Sequence, residues 1–220
     1  MTAIGTVYQM MVYFFILPID NYGYNQYNIF NGYIHGGETM LDYIVMGMVL
    51  EKELTGYDIK KEVESSIGVF YKANYGRLYP ALNKLTEKGY LTMSEQMQGK
   101  RLKKYYKTTE LGKEVFLEWL SLPIDLNMSG EAQLAQIFFY GELPKEIRNK
   151  RLQEYEIFIE QGMIQLQNIA KMLPEIMDEK EYFGISTLYY GLQNAHNTLR
   201  WLKHIREQKP FSQFLRKHDE

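Results

Sequence analysis

Two stretches of the chain carry polar side chains at a spacing that can hold a polyanion. In YGRLYPALNKLTEKGYL, residues 75–91, Leu78, Leu82 and Leu85 repeat at i, i+4 and i+7, the period of a helix with one buried face. With Leu78 as origin and about 100° per residue, Leu82 and Leu85 lie within about 40° of it. Gly76, Pro80, Asn83, Lys84 and Glu87 fall on the far side, and Arg77 on the flank. That far side offers the groups that read DNA, because Asn can pair with adenine, Arg with guanine and Lys with phosphate. A few residues on, GKRLKKYYK sets Lys100 and Arg101 at the tip of an expected hairpin, with Lys103, Lys104 and Lys107 along its returning strand. Each phosphate that such a cation neutralises releases counterions and makes binding salt-dependent.

Other chemistries find no residues to carry them. The four histidines (His35, His196, His204, His218) have no partners at metal-ligand spacing, and there is no cysteine. A P-loop, a dinucleotide glycine fingerprint and a nucleophile elbow are all missing from the sequence. The expectation is therefore a protein that is not an enzyme and needs no cofactor or metal. The lack of cysteine suits a reducing cytoplasm. The net charge of −2 hides an asymmetry: residues 74–108 hold eight Lys/Arg against two acids, a net +6, whereas residues 110–220 carry −4. A short basic block on an acidic chain attracts polyanions, although a solvated charged face is the plain alternative.

The elements that must position these residues follow from periodicity. Leu41, Ile44, Val45, Met48 and Val49 predict a first helix; Tyr57, Ile59, Val63 and Ile67 predict the inward face of a second. After Gly89 the period drops to two at Leu91, Met93 and Met97, a strand that turns at Gln98-Gly99-Lys100 and returns over Leu102–Thr108. The next helix, capped by Thr108 or Thr109, turns Leu111, Val115, Phe116, Trp119 and Leu120 inward. The order helix, helix, helix, hairpin, helix is that of a winged helix-turn-helix, whose third helix enters the major groove while the hairpin grips the backbone. The fold class is thus mainly α, a winged helix-turn-helix domain followed by an α-helical dimerisation domain. Its expected parts are a leader (1–39), the winged domain (40–122), a linker (123–130), helices over 131–208 and a tail (209–220). The leader has no Lys or Arg and six tyrosines, and it is read as non-native or disordered, with a native start at Met40. Pro80, inside a helical pattern, predicts a late or distorted helix start around residues 76–80.

TGYDIKKEV (55–63), YGRLYPALNKLTEKGYL (75–91) and KKYYKTTELGKEVFLEWL (103–120) closely resemble the characteristic blocks of the PadR family of transcriptional regulators. Gly56-Tyr57-Asp58-Ile59 matches the first block. Gly76, Leu78, Tyr79, Pro80, Leu82, Leu85 and Gly89 match the second, and Tyr106, Thr109 and Gly112 the third, with Thr108 where Ile or Leu is usual. The C-terminal region is similar in length and pattern to that of the longer subfamily, related to the AphA-type activators. The resemblance implies a homodimeric regulator, usually a repressor, on an inverted-repeat operator of double-stranded DNA, released by a small aromatic ligand. Carried over residue by residue, the DNA contacts fall on Asn74, Tyr75, Arg77, Asn83, Lys84, Lys100, Arg101, Lys103 and Lys104. Tyr79 and Tyr106 stand at positions open to either packing or phosphate contact.

On the last long helix, Ile185, Leu188, Leu192, Ala195, Leu199 and Leu202 step by three and four, which fits either a dimer seam or packing within the domain. Trp119, Phe183, Tyr189, Tyr190 and Trp201 are candidates to line a ligand pocket there, against the alternative that they are core. A winged-helix protein-interaction module without an operator is the competing function.

Overall fold

The computed structural model describes residues 37–71, 74–126, 128–173 and 179–215. They fall into two compact units that meet in sequence at Pro144 and Lys145. In the first unit, helices α1 (Met40–Met48), α2 (Gly56–Ser65), α3 (Leu78–Glu87) and α4 (Glu110–Ser121) accompany strands β1 (Leu54–Thr55), β2 (Leu91–Gln98) and β3 (Arg101–Thr108). The strands form one antiparallel sheet in the order β1-β3-β2.

Short polar signals start each helix. Thr39 and Asp42 close a capping box at α1, where the Thr39 N–H donates to Asp42 Oδ2 at 2.6 Å. Thr55 caps α2 by accepting from Asp58 N–H, and Thr109 caps α4 by accepting from Gly112 N–H. The winged domain therefore begins ahead of the expected Met40. Thr39 supplies the first cap, and Glu38 is buried in an ion pair with Lys88. The rest of the expected leader, residues 1–36, lies outside the described residues.

α1 is buried almost all round, as an apolar helix at the centre of a small bundle must be. Tyr43 stacks on Trp119 with ring centres 4.3 Å apart, and Phe116 meets Phe139 edge-on at 5.4 Å. Two residues expected on the inward faces of helices, Tyr57 and Leu111, are exposed. Each adjoins a buried glycine, Gly56 or Gly112, and so stands about 100° round its helix from the buried stripe. Thr108, the departure from the family pattern, donates its hydroxyl to the Met46 carbonyl at 2.8 Å while its N–H donates to Val49, tying the base of the hairpin to α1.

The expected linker, 123–130, is tethered. Gln133 donates to the carbonyls of Asp125 and Met128, and Gln136 to that of Leu122. Both glutamines belong to α5 (Gly130–Phe138), and Phe139, just beyond it, packs so near Gly47 that a Cβ there would lie 2.5 Å from the ring. Residues 130–144 thus belong to the winged unit, and the division falls at Pro144 rather than in the linker.

The second unit holds α6 (Lys145–Ala170), α7 (Glu179–Arg206) and α8 (Phe211–Leu215). Arg206 pairs with Glu156 at 2.9 Å, and Gly191 approaches Leu166, so α6 and α7 run antiparallel along each other. Of the six seam residues, Ile185, Leu188 and Leu202 are buried within this one chain, while Leu192, Ala195 and Leu199 are half-buried. The 3–4 repeat therefore serves, at least at those three positions, packing inside the domain. In the expected tail, α8 lays Phe211 and Phe214 against His204, and Arg200 sits 4.5 Å over the Phe214 ring.

Candidate nucleic-acid interface

The approach to α3 is a 3₁₀ turn, Tyr75–Arg77, and the α-helix proper starts at Leu78. Asn74 organises the turn: its Oδ1 accepts from Gly76 N–H at 3.1 Å and its carbonyl from Arg77 N–H at 2.9 Å. Pro80 is then the third helical residue, in the turn whose N–H groups have no intrahelical partner, so its missing donor costs nothing. At the other end Gly89 takes φ +75°, and Tyr90 N–H reaches back to the Leu85 carbonyl at 2.9 Å, a Schellman closure. Between these stops Leu78, Ala81, Leu82 and Leu85 are buried, and Arg77, Tyr79, Pro80, Asn83 and Glu87 are exposed.

Two lysines of this region turn back into the domain. Lys84 pairs with Asp42 and Lys88 with Glu38, and both acids are buried. The hydrogen bond to Glu38 holds the Lys88 ammonium above the usual lysine range against the opposing effect of desolvation. Lys84, expected as a phosphate contact, is thus already engaged by α1. The sequence signal was the Thr39-x-x-Asp42 box; its second role, as anchor for α3, is a tertiary contact that no local spacing announces.

The two family tyrosines separate. Tyr106 is buried, paired in the sheet with Met93 and Leu54; burial pushes its hydroxyl up, as does the nearby Tyr79. Tyr79 is 58% exposed and lies over Gly56, where a Cβ would come within 2.9 Å of its ring. Gly56 is therefore the floor of an exposed aromatic beside the outer face of α3.

The hairpin register fixes which cations stand together. Gln98 pairs with Arg101, Gln96 with Lys103 and Thr92 with Lys107, so Arg101, Lys103 and Lys107 share one face. Lys104 points to the opposite face, opposite Glu95, with 3.9 Å between the charged atoms of two exposed side chains. Gly99, at φ +62°, makes the tight turn, with Lys100 exposed beside it.

The proposed ligand set does not gather. Trp119 is enclosed by Tyr43 and Phe116 in the winged unit. Phe183, Tyr189 and Tyr190 are exposed on α7, and Trp201 is half-buried. Phe183 and Trp201 stand about 27 Å apart along the helix at 1.5 Å per residue, too far for one small molecule. Among the described residues no His, Asp and Glu group could hold a metal ion, and no helix is long and apolar enough to cross a membrane.

A helical bundle whose third helix presents a polar face and whose hairpin carries clustered cations defines a winged helix-turn-helix protein. The model of the transcriptional regulator PadR-like family matches residues 45–118, and the chain belongs to that family. It is 27% identical to the negative transcriptional regulator PadR of Bacillus subtilis (strain 168) over 177 residues, 76% of this chain and 95% of that one. Crystal structures of Bacillus subtilis PadR with operator DNA and with p-coumaric acid are 27% and 26% identical, with TM-scores of 0.38 and 0.36. They cover 76% and 77% of this chain and 98% of each of theirs.

Proposed function

We propose that this regulator is a cytoplasmic, non-enzymatic repressor that binds an inverted-repeat operator as a homodimer and is released by a small aromatic ligand. The DNA contact is supported by two observations, the exposed outer face of α3 and the one-sided cation row Arg101, Lys103 and Lys107. The base-reading set is then Asn74, Tyr75, Arg77, Tyr79 and Asn83, with Lys100 and the row as phosphate grip. Lys84 and Lys104 contribute less, because each faces a carboxylate. Repression is supported by the negative regulator that shares most of the chain. The second copy docks on the apolar side chains that α7 leaves uncovered, Tyr182, Phe183, Tyr189 and Tyr190, which repeat at seven residues. An AphA-like C-terminal domain and a release by phenolic acids rest on the resemblance alone.

A gel shift on the DNA upstream of the gene tests the reading. Arg101→Ala should weaken binding and reduce the slope of log affinity against log salt by about one. Unchanged affinity and slope would remove the hairpin from the interface. Failure of the wild-type chain to bind any DNA at low salt would favour a protein-interaction module.

A further inference from the structure

The hairpin holds a feature that phosphate contact does not use. One pair below Gln98 and Arg101, which close the turn, Met97 and Leu102 stand directly opposite each other, 66% and 58% exposed. The period of two puts them on the face of Leu91 and Tyr106, which are buried at the hairpin base. Near the tip the same face runs past the core. Exposed apolar side chains scattered singly are ordinary, but a directly paired Met and Leu at the end of a projecting hairpin form a small apolar blade. The next pair on this face, Glu95 and Lys104, is mutually neutralising at 3.9 Å, while Lys100 and Arg101 at the turn and Lys103 on the opposite face give the tip a net positive charge. Polyanionic DNA is the partner that this charge pattern fits.

We propose that the Met97–Leu102 pair enters the DNA minor groove as an apolar wedge while the flanking cations hold the backbones on either side. The inference rests on the operator-binding reading above. The minor groove is about 6 Å wide, and side chains of this kind, Met and Leu among them, are those that minor-groove proteins press against base steps to open and bend the duplex. A wedge neutralises no phosphate, so its share of affinity is independent of salt, unlike that of Arg101.

The test uses the full chain and its upstream duplex, labelled at both ends for fluorescence transfer, over a series of salt concentrations. The double variant Met97→Gln, Leu102→Gln should bind about tenfold weaker with the wild-type salt slope, and the duplex should lose bend. Leu102→Met should restore both affinity and bend. Thermal melts and sedimentation confirm that fold and oligomeric state are kept. Wild-type affinity and bend in the double variant would overturn the wedge while leaving operator binding intact. A change of oligomeric state in the double variant would reassign the pair to a contact between copies. A wild-type chain that binds no duplex at low salt would overturn the operator reading and the wedge together.

Discussion

Replacing Lys84 by methionine keeps the length of the side chain and removes its charge from the contact between α3 and α1. The Asp42 carboxylate, whose side chain is only 2% exposed, then retains two donors, the N–H and hydroxyl of Thr39 at 2.6 and 2.8 Å. Breaking a fully buried ion pair costs about 3–5 kcal/mol, and losing a hydrogen bond to a charged group about 1.5–3. Lys84 is 33% exposed, so water replaces part of what is lost, and the expected destabilisation is about 2 kcal/mol. Urea unfolding of Lys84→Met, Asp42→Asn and the double variant measures it. In the Asp42→Asn background the lysine should matter little, giving a coupling energy of about 1–2 kcal/mol. DNA binding adds a second reading: a lysine held by Asp42 should change the salt slope by clearly less than the unit expected for Lys103→Ala. A cost below about 0.5 kcal/mol, equal in both backgrounds, would reduce the contact to a surface ion pair. A full unit of salt slope would return Lys84 to the phosphate grip.

Gly112→Ala should destabilise by about 2–3 kcal/mol in thermal melts, because the new methyl would press into the Tyr90 carbonyl, with its carbon only 2.9 Å away and Thr108 Cγ2 at 3.0 Å. That carbonyl also accepts from Thr109 N–H, so it has little freedom to withdraw. Burial, with the neighbouring Glu38 and Asp42, pushes the Tyr43 hydroxyl far above its ordinary value. An unfolded tyrosine loses its proton near pH 10, so this contribution is complete below pH 10 and drains as pH rises past it, by up to about 1.4 kcal/mol per pH unit. Denaturant melts between pH 9 and 11.5 should show Tyr43→Phe losing less stability than the wild type.

What could be read from the sequence was what short-range periodicity encodes. Leu78, Leu82 and Leu85 marked the buried face of α3, and Pro80 marked its late start, because both effects act within one or two helical turns. The two-residue alternation located the hairpin, although only Leu91 among its expected inward residues is buried. The division at Pro144 lies beyond residues 123–130: that stretch has a linker's composition, while its tethers, Gln133 and Gln136, come from the next helix. The seam stripe was ambiguous in principle, since a 3–4 repeat looks the same whether the facing helix belongs to the same chain or another. Trp119 and the α7 aromatics share only their residue type, which says nothing about which unit encloses a ring.

Lys84 and Lys88 are each held by a buried acid, so the exposed charges on the outer side of α3 and its approach that face no carboxylate are Arg77, just ahead of the helix, and the acid Glu87. Most of the free positive charge sits instead on the hairpin. On the operator-binding reading proposed above, strength of attraction and choice of sequence are therefore housed in different segments of the chain. On that reading, substitutions at Tyr79 or Asn83 redirect the protein to a new site without disturbing its general hold on DNA, while changes at Arg101 or Lys103 retune that hold for another ionic environment. Such a separation lets duplicated copies of this gene diverge in target one segment at a time.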